Sequence, residues 1–313
     1  MNQKTRHDGF EDILPVEEKL KRYRLIQSDI ETVQDKERIG IQSMRAKFGT
    51  AGAEIGIGFK RAYGSVMSGD SFQLFSFPDD SLLFIFSDVS GHGLGAYTTY
   101  VKMRSAAILA VRRETVRMKR DGGSVDCPAV VRDIIDTFTD IMEESVSRDF
   151  SSVIFTFVGK DDYGNFTFRF FNRGMHYPCL LRLDASGTVQ CRNLNEADDT
   201  WKPSRNAPLG ADFRAILENR YNECEESVIR ISGGSRICFF TDGIIEAANE
   251  AVPPEEFGVE RLKKILTGTF SHFPQAAVNM IYHEVYDFII RPDRQFDDMT
   301  AVVIDLPGDS PSL

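Results

Sequence analysis

The sequence contains no CxxC pair. Its five cysteines, Cys127, Cys179, Cys191, Cys224 and Cys238, stand far apart and their number is odd. That argues against a disulfide scaffold and reads as the reduced thiols of a cytoplasmic protein. Histidine is sparse, with five residues and no HExxH or paired-histidine spacing, so the common zinc sites are missing. Positive charge is in deficit: 37 Lys and Arg face 47 Asp and Glu, a net charge of -10. Chains that grip nucleic acid carry a basic excess, so DNA and RNA are not expected partners. No apolar run approaches the roughly 20 residues of a membrane span, and the start MNQKTRHDGFED lacks the apolar core of a signal peptide. GxxxxGK[ST] does not occur, which removes a P-loop nucleotidase, and the one Cys-x5-Arg spacing, CEESVIR, runs into a strand pattern without the glycines of a phosphate loop, which argues against a cysteine-based phosphatase. Tryptophan occurs once, whereas phenylalanine occurs 24 times and supplies the expected core.

What is present is a polar start followed by two kinds of periodicity. Residues 16–44 contain no proline and are dense in charge, with Tyr23, Ile26, Ile30 and Val33 at spacings of three and four. The spacing predicts a helix with one apolar stripe, which either packs on its own domain or forms a dimerising, signal-transmitting linker. A Gly-rich break, FGTAGAEIGIG, follows. From Glu54 the runs EIGIGFK, SFQLFSFP and SLLFIFSD predict strands. Residues 96–119 and 128–148 carry helical periodicity, the second opened by Pro128 near the first helical position. The runs SSVIFTFVG, NFTFRFFN and CLLRLDASG predict further strands, and residues 193–213 read as a polar loop. SVIRISGG, SRICFFTDG and the closing DDMTAVVIDL predict strands, with helices near 258–267 and 275–290. This order lacks the steady strand–helix alternation of a doubly wound parallel sheet. It suits an α+β fold of mainly antiparallel sheets flanked by helices.

Four acidic positions share one local grammar. Asp70 precedes the run SFQLF, Asp88 ends SLLFIFSD, Asp242 follows RICFFT, and Asp297 and Asp298 precede MTAVVIDL. An aspartate at a strand end commonly just makes a turn. Were these ends to converge, the carboxylates would repel one another and their pKa values would rise unless divalent metal compensated them. An all-oxygen donor set favours Mg²⁺ or Mn²⁺. Two such ions about 3.5–4 Å apart activate water and bind phosphate oxygens.

In order and spacing, SGDSFQLF, SDVSGHGLGA, FFTDGIIEAAN with FGVERL downstream, and DDMTAVVIDL resemble the SpoIIE/RsbU-type branch of the protein phosphatase 2C (PPM) superfamily. FNRGMHYPCLL is similar to its Asn-Ala-Gly-His segment and APLG to its Pro-Leu-Gly turn. The resemblance runs from about Gly56 to Leu306. It implies a PP2C-like β-sandwich of two antiparallel sheets flanked by helices (α-β-β-α), spanning residues 48–313, with residues 1–47 as an N-terminal polar segment and regulatory or linker helix. It implies two Mn²⁺ or Mg²⁺ ions held by Asp70, Asp88, the Val89 backbone carbonyl, Asp242 and Asp297, with Asp88 bridging and Asp298 helping through a water. The activity implied is removal of phosphate from serine or threonine on a phosphorylated regulatory protein, such as an anti-sigma-factor antagonist.

The segment also departs from the family pattern. Ser68-Gly69-Asp70 stands where Gly-Gly-Asp is usual, Gln73 where a second acid often follows, Met175 with His176 displaced by one, and Gly233-Gly234-Ser235 for Pro-Gly-Asp.

Around these acids, Gly69, Gly91, Gly93 and Gly243 read as turn and support residues. His92 is a candidate proton donor to the leaving oxygen, or else a helix cap. Lys102, Arg104 and Arg173 are either phosphate contacts or solvated charges, and Thr241 and Thr300 either hydrogen-bond the neighbouring acids or serve strand propensity. Cys238 reads as buried and inert. An activator protein on the N-terminal helix and a parallel homodimer through its stripe are the expected partners besides the substrate. Two alternatives stand beside the phosphatase: a catalytically weak PP2C-fold binding module, and a metal-dependent hydrolase of another phosphate ester.

Overall fold

A computed structural model of the chain describes residues 52–65, 67–91, 93–145, 149–160, 165–194, 207–217, 225–291 and 295–308. The N-terminal helix with its stripe of Tyr23, Ile26, Ile30 and Val33, and also His92, lie outside the described residues.

The apolar runs fold as ten strands among the described residues. They are β1 (Glu54–Lys60), β2 (Ser71–Ser76), β3 (Leu82–Val89), β4 (Ser151–Lys160), β5 (Phe166–Arg173), β6 (Cys179–Leu183), β7 (Val189–Asn193), β8 (Ser227–Ile231), β9 (Arg236–Phe240) and β10 (Met299–Asp305). One sheet has the order β1-β10-β9-β6-β7 and the other β2-β3-β4-β5-β8, with every pairing antiparallel.

Helices α1 (Leu94–Asp121) and α2 (Cys127–Glu144) cover one sheet. Helix α1 buries Met103, Ala106, Ala107, Ala110 and Val111 at helical spacing, against Leu83 and Ile85 of β3 and Phe155 of β4. Helix α2 starts where Asp126 accepts a hydrogen bond from the Ala129 amide (3.1 Å), with Pro128 in its first turn. The other sheet is covered by α5 (Gly258–Gly268) and α6 (Pro274–Ile289), through Leu262, Leu266, Ile281 and Val285. Phe84 and Phe86 of one sheet meet Phe239 of the other, the first pair edge-to-face at 4.9 Å. The molecule is thus an α-β-β-α sandwich, as its α+β reading requires. No described helix is long and apolar enough to cross a membrane.

Two short helices and one strand differ from the sequence reading. Helices α3 (Ala211–Leu217) and α4 (Asp242–Ile245) were not signalled by periodicity, because seven and four residues are too short to show it. Residues 193–213 are not loop throughout. Leu209 is buried and exchanges two 2.8 Å backbone hydrogen bonds with Ser151 before α3 begins. Strand β7, VQCRN, is a half-exposed edge strand and so lacks an apolar run.

Candidate metal centre

Antiparallel pairing places the start of β2 beside the end of β3, Ser71 opposite Ser87. In the other sheet the end of β9 lies beside the start of β10, Phe240 opposite Ala301. These two sheet ends carry the acids. Asp70 just precedes β2, Asp88 lies on β3, Asp242 opens α4 directly after β9, and Asp297 and Asp298 precede β10.

Asp70 links the sheets. Its Oδ2 accepts hydrogen bonds from the hydroxyls of Thr300 (2.7 Å) and Thr241 (2.9 Å), and the Thr300 amide donates in turn to the Thr241 hydroxyl at 3.0 Å. Its Oδ1 is buried and has no hydrogen-bond partner. A buried, unpaired carboxylate oxygen is costly unless something positive meets it. Burial first, then the neighbouring Asp298 and Asp297, hold the Asp70 pKa well above the carboxylate range, against the lowering effect of the two threonines. Asp88 is raised in the same way, by burial and then by the charges of Asp70, Asp242 and Asp297. Asp70, Asp88, Asp242 and Asp297 are therefore close enough to repel one another.

The two acids before β10 divide the work. Asp298 is buried, and both its oxygens are taken by backbone amides, Ala62 on Oδ1 and Gly69 on Oδ2, each at 2.8 Å. It clamps both ends of the β1–β2 connection that leads into Asp70, by direct bonds to the backbone. Asp297 is exposed and its Oδ1 accepts from the Asp298 amide at 2.8 Å.

The glycines set the spacing. A Cβ on Gly243 would lie 2.0 Å from the Asp298 carbonyl oxygen, so only glycine lets α4 approach β10 this closely. A Cβ on Gly69 would lie 2.8 Å from the Val89 carbonyl oxygen, which puts that buried carbonyl beside the Asp70 loop. Gly91 and Gly93 both have positive φ, 78° and 80°, and the Gly93 amide donates to the Met67 carbonyl at 3.2 Å.

Two residues join the cluster that sequence reasoning passed over. Single ligand atoms of His176, Asp242 and Glu246 lie within 4.8 Å of one another. Glu246 stands four residues after Asp242, one helical turn on, and that spacing was the available signal. His176 also stacks on Phe240 with ring centroids 6.0 Å apart.

The Lys102 ammonium donates to Ser145 at 2.8 Å, Arg104 is exposed, and Arg173 is fully buried with its Nε donating to the Ala207 carbonyl at 2.8 Å. Gln73 is buried, with neither amide atom hydrogen-bonded. Cys238 is buried and its thiol is pushed far up by desolvation, which keeps it protonated and unreactive. The carboxylates and the unpaired Asp70 Oδ1 offer the oxygen donors that hard divalent cations take, with the His176 imidazole the one nitrogen beside them among the described residues.

Comparison with known proteins identifies the fold and the family. The sequence model of the family described as Stage II sporulation protein E (SpoIIE) matches residues 78–307. The SiaA-PP2C domain of Pseudomonas aeruginosa superposes with a TM-score of 0.63 at 14% identity, covering 91% of this chain and 98% of that one. The PP2C phosphatase domain and a regulatory-domain fragment of SpoIIE from Bacillus subtilis superpose with a TM-score of 0.58 at 17% identity, covering 82% and 64%. The RsbU and RsbW domains of a Mycobacterium tuberculosis protein give 0.55 at 18% identity, covering 83% and 61%. At these identities the likeness is one of fold, and the chain spans under two thirds of the latter two structures. No curated protein sequence matches.

Proposed function

Because the chain belongs to the SpoIIE family of PP2C-type protein phosphatases, we propose that it removes phosphate from phosphoserine or phosphothreonine on a regulatory protein of the anti-sigma-factor-antagonist kind. The observation that carries this reading is the convergence of Asp70, Asp88, Asp242 and Asp297 at one end of both sheets, with a buried Asp70 oxygen left unpaired. Two Mn²⁺ or Mg²⁺ ions at such a cluster would supply an acidified water and neutralise the phosphoryl oxygens.

The chain's own residues do the holding. Asp70, Asp88, Asp242 and Asp297 supply carboxylate oxygens and the Val89 carbonyl a neutral one. Thr241 and Thr300 fix one oxygen of Asp70 by hydrogen bonds, which leaves the other, buried and unpaired, to meet a cation. Asp298 keeps the Gly69 turn against β10 through its bond from the Gly69 amide. No cysteine or serine nucleophile is needed, and the buried thiols are unsuited to that part: desolvation pushes Cys127 up to about 12.

The test is phosphate release from a phosphoserine peptide and a phosphotyrosine peptide, with Mn²⁺ and with chelator. Turnover of phosphoserine that requires the metal is expected. Turnover that persists undiminished in chelator contradicts the proposal.

Thr300→Val separates positioning from chemistry. Loss of the 2.7 Å bond to Asp70 is expected to weaken Mn²⁺ binding by roughly tenfold or more. Calorimetric titration measures this, and Thr300→Ser, which keeps the hydroxyl, is expected to restore it. Equal weakening in both variants would assign Thr300 to packing alone.

A further inference from the structure

The sandwich carries a second site, unrelated to the acids. A cavity of about 340 Å³ opens where strands β6 and β7 of one sheet face β8 of the other. Three arginines line it: Arg182 on β6, Arg192 on β7 and Arg230 on β8. No carboxylate is among the described lining residues. The floor is apolar, with Leu180 and Ile231 buried, and Ser232 and Ser235 add hydroxyls.

The charge at this place is out of keeping with the rest of the surface. The chain has ten more acidic than basic residues, and its other arginines are commonly neutralised. Arg113 pairs with Asp133, Arg169 with Glu226, Arg236 with Asp305 and Arg261 with Glu255. Among the described residues, none of Arg182, Arg192 and Arg230 is in an ion pair or a side-chain hydrogen bond. The cross-strand pairing explains how the first two come together. Leu180 stands opposite Arg192 and Arg182 opposite Gln190, alternate pairs of one hairpin, so all four lie on the same face of it. Like charges gathered this way repel one another unless an anion sits between them.

The geometry points to a binding site for an organic diphosphate of nucleotide size. Guanidinium groups present paired donors that match phosphate oxygens. Three of them suit a ligand with more than one phosphate. The volume lies at the small end of ordinary ligand pockets, and the Leu180–Ile231 floor fits an organic moiety beside the charged one. This ligand is an effector and not the substrate of the acid cluster. Ser235 precedes β9 and Asp242 follows it, so the two sites lie at opposite ends of that strand, roughly 20 Å apart.

The test is calorimetry on the full chain in metal-free buffer, with ADP and with inorganic pyrophosphate as probes. Without metal the acid cluster repels both anions, so any binding reports the arginines. Saturable binding of one ADP per chain is expected, weakened by added salt. It should fall by roughly tenfold or more in Arg182→Ala/Arg192→Ala and be unchanged in Arg113→Ala. Both substituted arginines are exposed, and an unchanged melting temperature shows that the double variant folds. No saturable binding of either probe, or equal binding by the double variant, overturns the assignment. Binding of pyrophosphate without ADP overturns its organic half. None of these outcomes touches the metal-dependent activity, which is read separately.

Discussion

Asp88→Asn is expected to reduce metal-dependent phosphate release by about a thousandfold, which corresponds to ~4 kcal/mol of lost transition-state stabilisation. The same substitution is expected to raise the melting temperature in chelator. The two effects have one cause. Asp88 is half-buried, and desolvation together with the charges of Asp70, Asp242 and Asp297 raises its carboxyl well above the ordinary range. In the metal-free chain, the folded state therefore binds protons that the unfolded chain releases. That contribution to stability is fully present below the unfolded carboxylate pKa of about 3.9 and is lost as pH rises through the raised folded value. Metal-free stability must then fall with rising pH across this window. An amide at position 88 carries no charge at any of these pH values, so the fall should be shallower. Thermal melts of wild type and variant in chelator, from acid to neutral pH, give the comparison. A variant that melts lower than wild type at neutral pH, with the same slope, would show that repulsion is not what raises these acids.

Gly243→Ala is expected to cost at least about 2 kcal/mol of stability and most of the metal affinity. The added methyl carbon would meet the Asp298 carbonyl oxygen at 2.0 Å and its carbonyl carbon at 3.0 Å, both backbone atoms that no rotamer change can move. Relief requires that α4 and the start of β10 separate. Those two segments carry Asp242 on one side and Asp297 and Asp298 on the other. Denaturant unfolding and Mn²⁺ titration of the variant measure the two losses. Near wild-type values in both would mean that the backbone here adapts, and that the acid cluster does not depend on this close approach.

The acid positions were legible because each interrupts a buried run. LLFIF and ICFF are apolar at every position, as strands buried on both faces require, and the acid marks where the apolar run stops. The long helices were legible by period, to within two residues for α1. Which ends meet was not, since strand order is a long-range property. Asp298 shows the limit well. In sequence it is indistinguishable from Asp297, and only the fold brings the Ala62 and Gly69 amides to its two oxygens. Glu246 was missed for a different reason. Its link to Asp242 needs a single helical turn, and four residues are too few to display a helical period. The arginine cavity was invisible for the same reason as the strand order, because Arg230 reaches Arg182 and Arg192 only when the two sheets stack.

The central claim is that the converging carboxylates hold two divalent ions. Counting Mn²⁺ per chain by equilibrium dialysis tests it most directly, with Asp88→Asn beside wild type. Two ions per chain at saturation, with a marked loss in Asp88→Asn, is the predicted result. A wild-type chain that takes up no Mn²⁺ at neutral pH, or one whose uptake is the same after Asp88→Asn, would contradict it.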